Sequence, residues 1–215
     1  MIYYLTMVRK DISQFIASIP SSVTIVAATK YVDKDDIITL INNGINNIGE
    51  NRVDSFLEKY EELKSYDVVW HFIGHLQRNK AKEVANKIDY LHSLDSLELA
   101  KTLNKYRQEP LKVFIEVSIN LEPNKNGVPY YEVENFIKEI KQFENIKIVG
   151  LMMMAIKDSS DTKQQFAKLA ALRDELENKL EIKIPYLSMG MSDDYKSAIE
   201  EKATHIRLGR ILFDL

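Results

Sequence analysis

The sequence predicts an α/β protein folded as a single (β/α)8 barrel of the TIM type. Eight short apolar runs recur along the 215 residues, roughly 20 to 37 residues apart, and a helix-length amphipathic stretch separates each run from the next. Strands that alternate with helices pair in parallel through right-handed crossovers. An open doubly wound sheet is the alternative, but the chain lacks the glycine-rich GxGxxG and GxxxxGK(S/T) loops that usually mark that fold. The count of eight therefore favours the barrel.

The first half of the chain supplies an extra helix and four strand–helix units. The extra N-terminal helix is predicted over 8–19, and the strand-like runs cover 23–28, 45–49, 68–73 and 90–92. Asp33 is placed to cap the helix after the first strand, and Gly44 to end it. Apolar residues at 53, 56, 57, 60 and 63 have helical spacing, which predicts the next helix. A short helix over 79–87 follows the third strand, and Asp95 is placed to cap the helix after the fourth.

The second half repeats the scheme. Strand-like runs cover 113–117, 146–153, 184–189 and 204–208. Helical apolar spacing appears between them at 133–140, 166–180 and 195–199. The prediction is therefore one barrel domain that spans residues 1–215.

Composition excludes several classes of protein. Hydrophobic residues at 45% and charged residues at 28% are ordinary globular values, and a net charge of −3 offers no general attraction to nucleic acid or anionic membranes. Without cysteine there is no disulfide, no cysteine nucleophile and no cysteine zinc site. The first residues lack a signal-peptide pattern, and no window approaches 18 apolar residues. The expectation is a cytoplasmic monomer without nucleic-acid or membrane partners.

The four histidines predict no metal site. No HExxH pattern is present, and His71 and His75 lie on a strand and its following loop, where they need not share a face. His92 and His205 are interpreted as hydrogen-bonded polar residues within or next to strands.

Functional residues of such barrels lie on the loops at the carboxyl ends of the strands. The candidates at these positions are, in chain order, Lys30, Glu50, Asn51, Arg52, His71, His75, Gln77, Asn120, Lys125, Met152, Met153, Met154, Ser188, Ser192, Arg207, Gly209 and Arg210.

Lys30 stands out because it follows the apolar run VAAT and would project at the barrel mouth. A lysine that is partly desolvated and near other cations loses its proton near neutral pH, which allows Schiff-base chemistry. The competing interpretation is a solvated lysine at a strand end.

The loops after the seventh and eighth strands, SMGMSDD and RLGR, have the features of a phosphate site. Ser192 is placed to cap the next helix, so that its hydroxyl and the first backbone N–H groups could bind a dianion. Gly209 would let the backbone approach closely. A capping serine and a glycine turn are each common alone, and it is their placement together with Lys30 that predicts a site.

Seven segments carry a family resemblance. They are VAATK, NNIGENRV, WHFIGHLQRNK, NKNGV, IVGLMMM, LSMGMSDDY and HIRLGRILF. Together, and in this order from about residue 24 to 213, they resemble the pyridoxal phosphate homeostasis protein family, the cytoplasmic single-domain relatives of the alanine racemase barrel. The resemblance implies an alanine-racemase-like barrel that binds pyridoxal 5′-phosphate (PLP).

The resemblance also implies roles for individual residues. Lys30 matches the lysine that holds PLP as an internal aldimine, and Arg207 matches the arginine that faces the pyridine nitrogen. Asn51 matches a residue that lines the pocket. Lys125 matches a second family lysine near the mouth.

The same resemblance implies the phosphate contacts. Ser188 and Ser192 match serines of the loop after the seventh strand, and Gly209 and Arg210 match a pair whose backbone amides complete the phosphate cup. Many relatives have Thr or Ser where Arg210 stands. The Arg210 guanidinium could therefore pair with the phosphate or point away.

The implied function is PLP homeostasis with little or no catalytic turnover, so no residue is assigned as catalytic. A cation such as Arg207 beside the ring nitrogen disfavours its protonation and weakens the ring as an electron sink. This alone does not abolish racemisation, because the resembled racemase works with a similar arginine. That racemase, however, has a further catalytic base from a second domain, for which 215 residues leave no room. PLP-dependent apoenzymes are expected recipients. Two alternatives stay open: a PLP-dependent racemase or decarboxylase of the same barrel type, and a Schiff-base aldolase that uses Lys30 without a cofactor.

Overall fold

Eight parallel strands form a closed ring in the computed structural model, which describes residues 7–121, 126–156 and 159–214. The strands are β1 (Thr24–Ala28), β2 (Asn47–Glu50), β3 (Val69–Phe72), β4 (Tyr90–Leu94), β5 (Leu111–Ser118), β6 (Ile146–Met152), β7 (Tyr186–Ser188) and β8 (His205–Leu208). Each strand pairs with the next in the chain, and β8 pairs with β1. The predicted barrel is confirmed.

Helices surround the ring. They are α1 (Ile12–Ala17), α2 (Lys34–Asn42), α3 (Val53–Glu62), α4 (Ala81–Val84), α5 (Leu97–Tyr106), α6 (Val133–Ile140), α7 (Thr162–Leu180) and α8 (Tyr195–Glu200). Short 3-10 turns cover Arg78–Lys80, Tyr130–Glu132 and Arg210–Leu212. A two-residue strand, Val128–Pro129, adds to β5. Within the described residues no helix has the length and apolar character needed to cross a membrane.

The N-terminal helix is shorter than predicted. It covers only Ile12–Ala17, and Val8 at the predicted start belongs instead to a strand, Met7–Val8, that pairs antiparallel with Phe213–Asp214. A partner more than 200 positions away leaves no trace in the local periodicity of residues 8–19. The pattern therefore placed Val8 in a helix, whereas the distant pairing places it in a strand.

The two predicted caps have different outcomes. Asp33 caps α2 as predicted, since its carboxylate accepts the N–H of Asp36 at 3.0 Å. The prediction for Asp95 is wrong because Ser96 occupies the N-cap position of α5. The Asp95 carboxylate instead lies 3.3 Å from Nδ1 of His75.

Strand alternation separates two different cores. Aliphatic and aromatic side chains fill the layer between the ring and the helices, as with Phe56, Phe72 and Leu91, which are fully buried. Inside the ring, rings of histidine and aromatic residues touch across strands that are not neighbours. Phe114 of β5 and His205 of β8, for example, have ring centres 5.1 Å apart. The barrel axis is therefore filled with flat and partly polar side chains.

Candidate functional site

Lys30 lies at the barrel mouth, just beyond β1. Its ammonium is exposed to solvent, whereas the sequence led us to expect a partly desolvated group. The side chain is exposed, and Nζ lies 4.6 Å from the centre of the Tyr31 ring, which is itself exposed. A cation over an aromatic face at an exposed position gains about 0.5–1 kcal/mol. The structure thus presents an exposed primary amine, in the solvated state that was the competing interpretation.

Arg207 is at the opposite extreme, because it is buried at the end of β8. Its Nη1 donates to the Ser188 hydroxyl at 2.7 Å, and its Nη2 donates to the carbonyl oxygen of Met153 at 3.0 Å. Burial lowers the pKa of Arg207 to about 10, an effect that the negative charge of Glu116 opposes. The guanidinium therefore stays charged at neutral pH while it is held in one orientation.

Ser188 connects Arg207 to a column of polar side chains along the barrel axis. The Ser188 hydroxyl lies 2.8 Å from Nδ1 of His92, and Nε2 of His92 lies 2.8 Å from Nδ1 of His71. Nε2 of His71 then lies 3.0 Å from Oδ1 of Asn47, at the start of β2. We call these five residues, from Arg207 to Asn47, the axial column.

The axial column has a defined direction. Burial lowers the pKa of His71 and of His92 well below the usual value, so both imidazoles are neutral and each has one N–H. Because Oδ1 of Asn47 can only accept, His71 donates from Nε2 and accepts at Nδ1, and His92 must do the same. The Ser188 hydroxyl then donates to His92 and accepts from Arg207. Every hydrogen bond therefore points away from Arg207.

The loop after β7 uses Ser192 differently from the prediction. Asp194, not Ser192, is the N-cap residue of α8, and its carboxylate accepts the N–H of Met191 at 2.6 Å. The Ser192 hydroxyl instead lies 3.4 Å from the backbone nitrogens of both Gly209 and Ile211. The predicted helix cap is wrong, but Ser192 does meet the backbone N–H groups that follow β8.

Gly209 and Arg210 complete this part of the mouth. A Cβ at Gly209 would lie 3.6 Å from the carbonyl oxygen of Ala28, an ordinary contact, so the protein itself leaves room above this position. Arg210 is exposed, and its guanidinium pairs with Asp193 at 2.5 Å. The group that remains available at position 210 is therefore the backbone rather than the side chain.

Asn51 directly follows the carboxyl end of β2. Its Oδ1 is buried and has no hydrogen-bond partner among the residues that the structure describes. Gly74 packs so closely here that a Cβ would lie 2.3 Å from the backbone carbonyl oxygen of Asn51. The ends of β2 and β3 are thus fixed against each other while one acceptor atom stays unpaired.

Glu116 is a mouth residue that the sequence analysis missed. It lies near the end of β5, it is only 5% exposed, and burial raises its pKa to about 7. The negative charge of Asp95 adds to this rise, and the positive charge of Arg207 opposes it. A lone carboxylate inside an apolar strand is a sequence signal, but only the folded structure shows that its charge interacts with that of Arg207.

Other candidates have structural contacts or lie outside the described part. Asn120 donates to Gln165 at 2.8 Å, Arg52 occupies the N-cap position of α3, and His75 pairs with Asp95. Lys125 lies outside the described residues. Among the described residues there is no group of three or more His, Asp or Glu side chains that could hold a metal ion.

The architecture defines the class of protein. A family model described as "Alanine racemase, N-terminal domain" matches residues 13–215. An alanine racemase from Clostridium difficile superposes with a TM-score of 0.78 at 15% identity, covering 99% of this chain and 59% of the racemase chain. At that identity the likeness concerns the fold alone.

More similar relatives narrow the class. The pyridoxal phosphate homeostasis protein of Aquifex aeolicus is 40% identical over 194 residues, which cover 88% of this chain and 85% of that protein. The protein of the same name from Synechocystis is 37% identical over 207 residues, covering 94% and 95%. PipY of Synechococcus elongatus has been solved without and with PLP bound. The structure without PLP superposes with a TM-score of 0.89 at 31% identity, covering 95% of this chain and 99% of PipY. The structure with PLP superposes with a TM-score of 0.87 at 30% identity, covering 94% of this chain and 100% of PipY. This chain belongs to the pyridoxal phosphate homeostasis protein family.

Proposed function

We propose that the protein binds PLP and serves in PLP homeostasis, with Lys30 as the covalent anchor and with little or no catalytic turnover. The names of its relatives and the PLP-bound PipY structure support this proposal. The observation that carries it is the barrel mouth itself. An exposed lysine, a buried arginine and a serine facing two backbone N–H groups stand on the adjoining ends of β1, β8 and β7.

The residues at the mouth fit the chemistry of PLP. PLP offers an aldehyde that can bond covalently to an amine, a dianionic phosphate and a ring that withdraws electrons. The Lys30 amine suits the aldehyde, and the hydroxyl of Ser192 with the N–H groups of Gly209 and Ile211 suits the phosphate. The unpaired Oδ1 of Asn51 is an acceptor for a ligand or for a water beside it.

Two of the expected phosphate contacts take revised roles in this proposal. The Ser188 hydroxyl is already engaged by Arg207 and His92, so we assign Ser188 to holding Arg207. The Arg210 guanidinium is paired with Asp193, so we assign the backbone N–H of Arg210 to the phosphate.

Arg207 is the reason for proposing little turnover. It remains charged at neutral pH, because burial lowers its pKa only to about 10. A fixed cation facing the ring nitrogen disfavours protonation of that nitrogen and weakens the ring as an electron sink. The mouth is therefore better suited to hold PLP than to use it, and the exposed Lys30 suits exchange with PLP-dependent apoenzymes.

A visible absorption spectrum of the purified protein with added PLP tests the proposal. A visible band, fixed by borohydride reduction onto the peptide that contains Lys30, is the expected result. Lys30→Ala should lose the band completely and stay folded, because Lys30 is exposed. Lys34→Ala, at another exposed lysine at the start of α2, is the matched control and should keep the band. A Lys30→Ala protein that still carries covalent PLP would refute the anchor.

One observation favours a racemase-type activity as a second candidate. The pKa of Glu116 is about 7, so this carboxyl can exchange a proton near neutral pH, and its charge is felt by Arg207. The test is exchange of the α-hydrogen of alanine for deuterium by the PLP-loaded protein. Exchange that disappears in both Lys30→Ala and Glu116→Gln would support an enzyme, and its absence in the wild type would support the homeostasis role.

A further inference from the structure

A buried ion pair lies directly behind Lys30. Lys59 of α3 is 8% exposed, and its ammonium donates to Oε1 of the fully buried Glu50 at 2.5 Å. The same ammonium donates to the backbone carbonyl oxygen of Thr29, the residue before Lys30. The Thr29 hydroxyl also donates to Oε1 of Glu50, at 2.5 Å. Three elements, the end of β1, the end of β2 and α3, are thus tied at one point, which we call the Lys59 cluster.

Stability alone does not explain the Lys59 cluster. Moving a lysine and a glutamate out of water costs several kcal/mol for each ion, and well-packed apolar residues often serve as well or better in such places. The Lys59 cluster also leaves Oε2 of Glu50 buried and without a hydrogen-bond partner in the described chain. A buried unpaired acceptor is itself unfavourable, because a group removed from water without a partner costs about 1–3 kcal/mol.

Unlike an apolar pair, the Lys59 cluster forms a hydrogen bond to the backbone of Thr29. The Thr29 carbonyl accepts from Lys59 and from the N–H of Val32, and the Thr29 N–H donates to the carbonyl of Gly49. Both backbone polar groups of Thr29 are therefore held. The next residue, Lys30, has an exposed side chain. An exposed amine thus follows a residue whose backbone is held by hydrogen bonds.

We propose that Lys59 and Glu50 are positioning residues for Lys30: they hold the Thr29–Lys30 backbone where the lysine amine can reach the aldehyde of PLP bound at the mouth. This inference rests on the proposed function for its ligand. Its structural half, the fixed backbone, concerns this chain alone. A misplacement of about 1 Å in a reacting group can cost on the order of a hundredfold in rate.

The decisive variant is Glu50→Leu with Lys59→Met, which removes both charges and keeps the layer filled. Replacement of the pair by apolar residues should leave the melting temperature within about 4 °C of the wild type, the shift expected for roughly 1 kcal/mol in a chain of this size. Lys64→Met, at an exposed lysine just beyond α3, is the matched control. Thr29→Val, which deletes the hydroxyl contact with Glu50 and a longer one of 3.5 Å with the carbonyl oxygen of Gly49, is the second variant in case the double variant does not fold.

Two measurements follow. In the cofactor-free proteins, amide hydrogen exchange of the peptide spanning 28–32 should be faster in the double variant and, to a smaller extent, in Thr29→Val, but unchanged in Lys64→Met. On addition of PLP, the visible band should form about ten- to a hundredfold more slowly in the double variant, and its pH titration should shift.

Each outcome decides a different point. Unchanged exchange together with an unchanged band in the double variant would overturn the inference, and if that variant does not fold, the same result in Thr29→Val would overturn it. Faster exchange in a protein whose wild type takes up no PLP would keep the fixed backbone and count against the proposed function instead.

Discussion

The two sides of the barrel mouth are built in opposite ways. On the side of β7 and β8, the polar side chains are already engaged: Arg207 is locked to Ser188 and Met153, and Ser192 meets the backbone N–H groups of Gly209 and Ile211. On the side of β1 and β2, the backbone is fixed by the Lys59 cluster while the side chains facing the mouth are uncommitted. Lys30 is exposed there, and Oδ1 of Asn51 has no partner in the described chain.

The difference between the two sides of the mouth shows how recognition and release of a ligand can be assigned to different residues of one small site. Groups that are already oriented lose little freedom when a ligand binds, so the engaged side suits recognition of a phosphate and a ring. A solvated amine can approach and withdraw without disturbing the fold. On the proposed function, the engaged side recognises PLP and the uncommitted side decides how long it stays.

The largest effect should come from breaking the engaged side at Gly190. This glycine has φ +92°, and a Cβ would lie 2.6 Å from Cβ of Ala198 and 3.0 Å from Cα of Tyr195. Gly190→Ala should therefore destabilise the fold by about 2–4 kcal/mol, from backbone strain plus overpacking, and should displace Ser192. Urea unfolding and PLP titration measure the two effects.

Gly44→Ala is the control for that experiment. Gly44 has nearly the same φ, +91°, but a Cβ there would have nothing within 4 Å. It should cost only the strain, about 1 kcal/mol, and leave PLP binding unchanged. Equal losses of stability in the two variants would show that the close packing around Gly190 has no energetic weight.

The second effect concerns Glu116, whose charge interacts with those of Arg207, Asp95 and His75. Its pKa is about 7 in the fold against an ordinary 4.5, so ionising it costs stability. The protonated carboxyl contributes fully to the stability of the fold below about pH 4.5. This contribution is lost as the pH rises through the folded pKa of about 7, and the total loss is about 3 kcal/mol. Glu116→Gln should therefore be the more stable protein above pH 7.

The difference between the two pH profiles isolates Glu116. His205, whose pKa is lowered to about 4 mainly by burial, loses stability as the pH falls below 6.5, and it does so in both proteins. Unfolding free energies measured from pH 4 to pH 8 should diverge between about pH 4.5 and pH 7 and keep a constant difference above pH 7. Parallel curves across that range would contradict the assignment.

The smallest effect should come from Ser192→Ala. Loss of one hydroxyl contact should weaken PLP binding about five- to tenfold, which corresponds to roughly 1 kcal/mol. The reaction of Lys30 with pyridoxal, which lacks the phosphate, should not change. Titration with both ligands checks this, and an equal loss for pyridoxal would remove Ser192 from the phosphate contacts.

The sequence predicted those elements of the fold that depend on residues close together in the chain. The eight strands follow from apolar runs separated by amphipathic stretches, and Asp33 follows from its place before such a stretch. The strand at Met7–Val8 does not, because its partner, Phe213–Asp214, is at the other end of the chain. Ser192 likewise resembles a helix cap in sequence, while its hydroxyl contacts a loop that follows a different strand.

The candidate site also combines residues that the sequence could place with residues that depend on distant partners. Lys30 follows β1 and Arg207 lies near the carboxyl end of β8, so their place at the mouth could be predicted. The axial column could not, since His71 and His92 meet only through the register of β3 and β4, and that register is a property of the closed ring. Lys59 resembles a solvated helix residue in sequence, and only the packing of α3 against β1 and β2 reveals that its ammonium is buried.

The direction of the axial column has one more consequence. A proton relay along a row of hydrogen bonds requires every bond in the row to reverse after a proton has passed. This row cannot reverse, because the guanidinium of Arg207 has no lone pair with which to accept, and Oδ1 of Asn47 has no proton to give. The column therefore works as an insulator rather than as a proton wire. The column is continuous from the start of β2 to the mouth. It fixes the orientation of its own side chains along the barrel axis and transfers no protons.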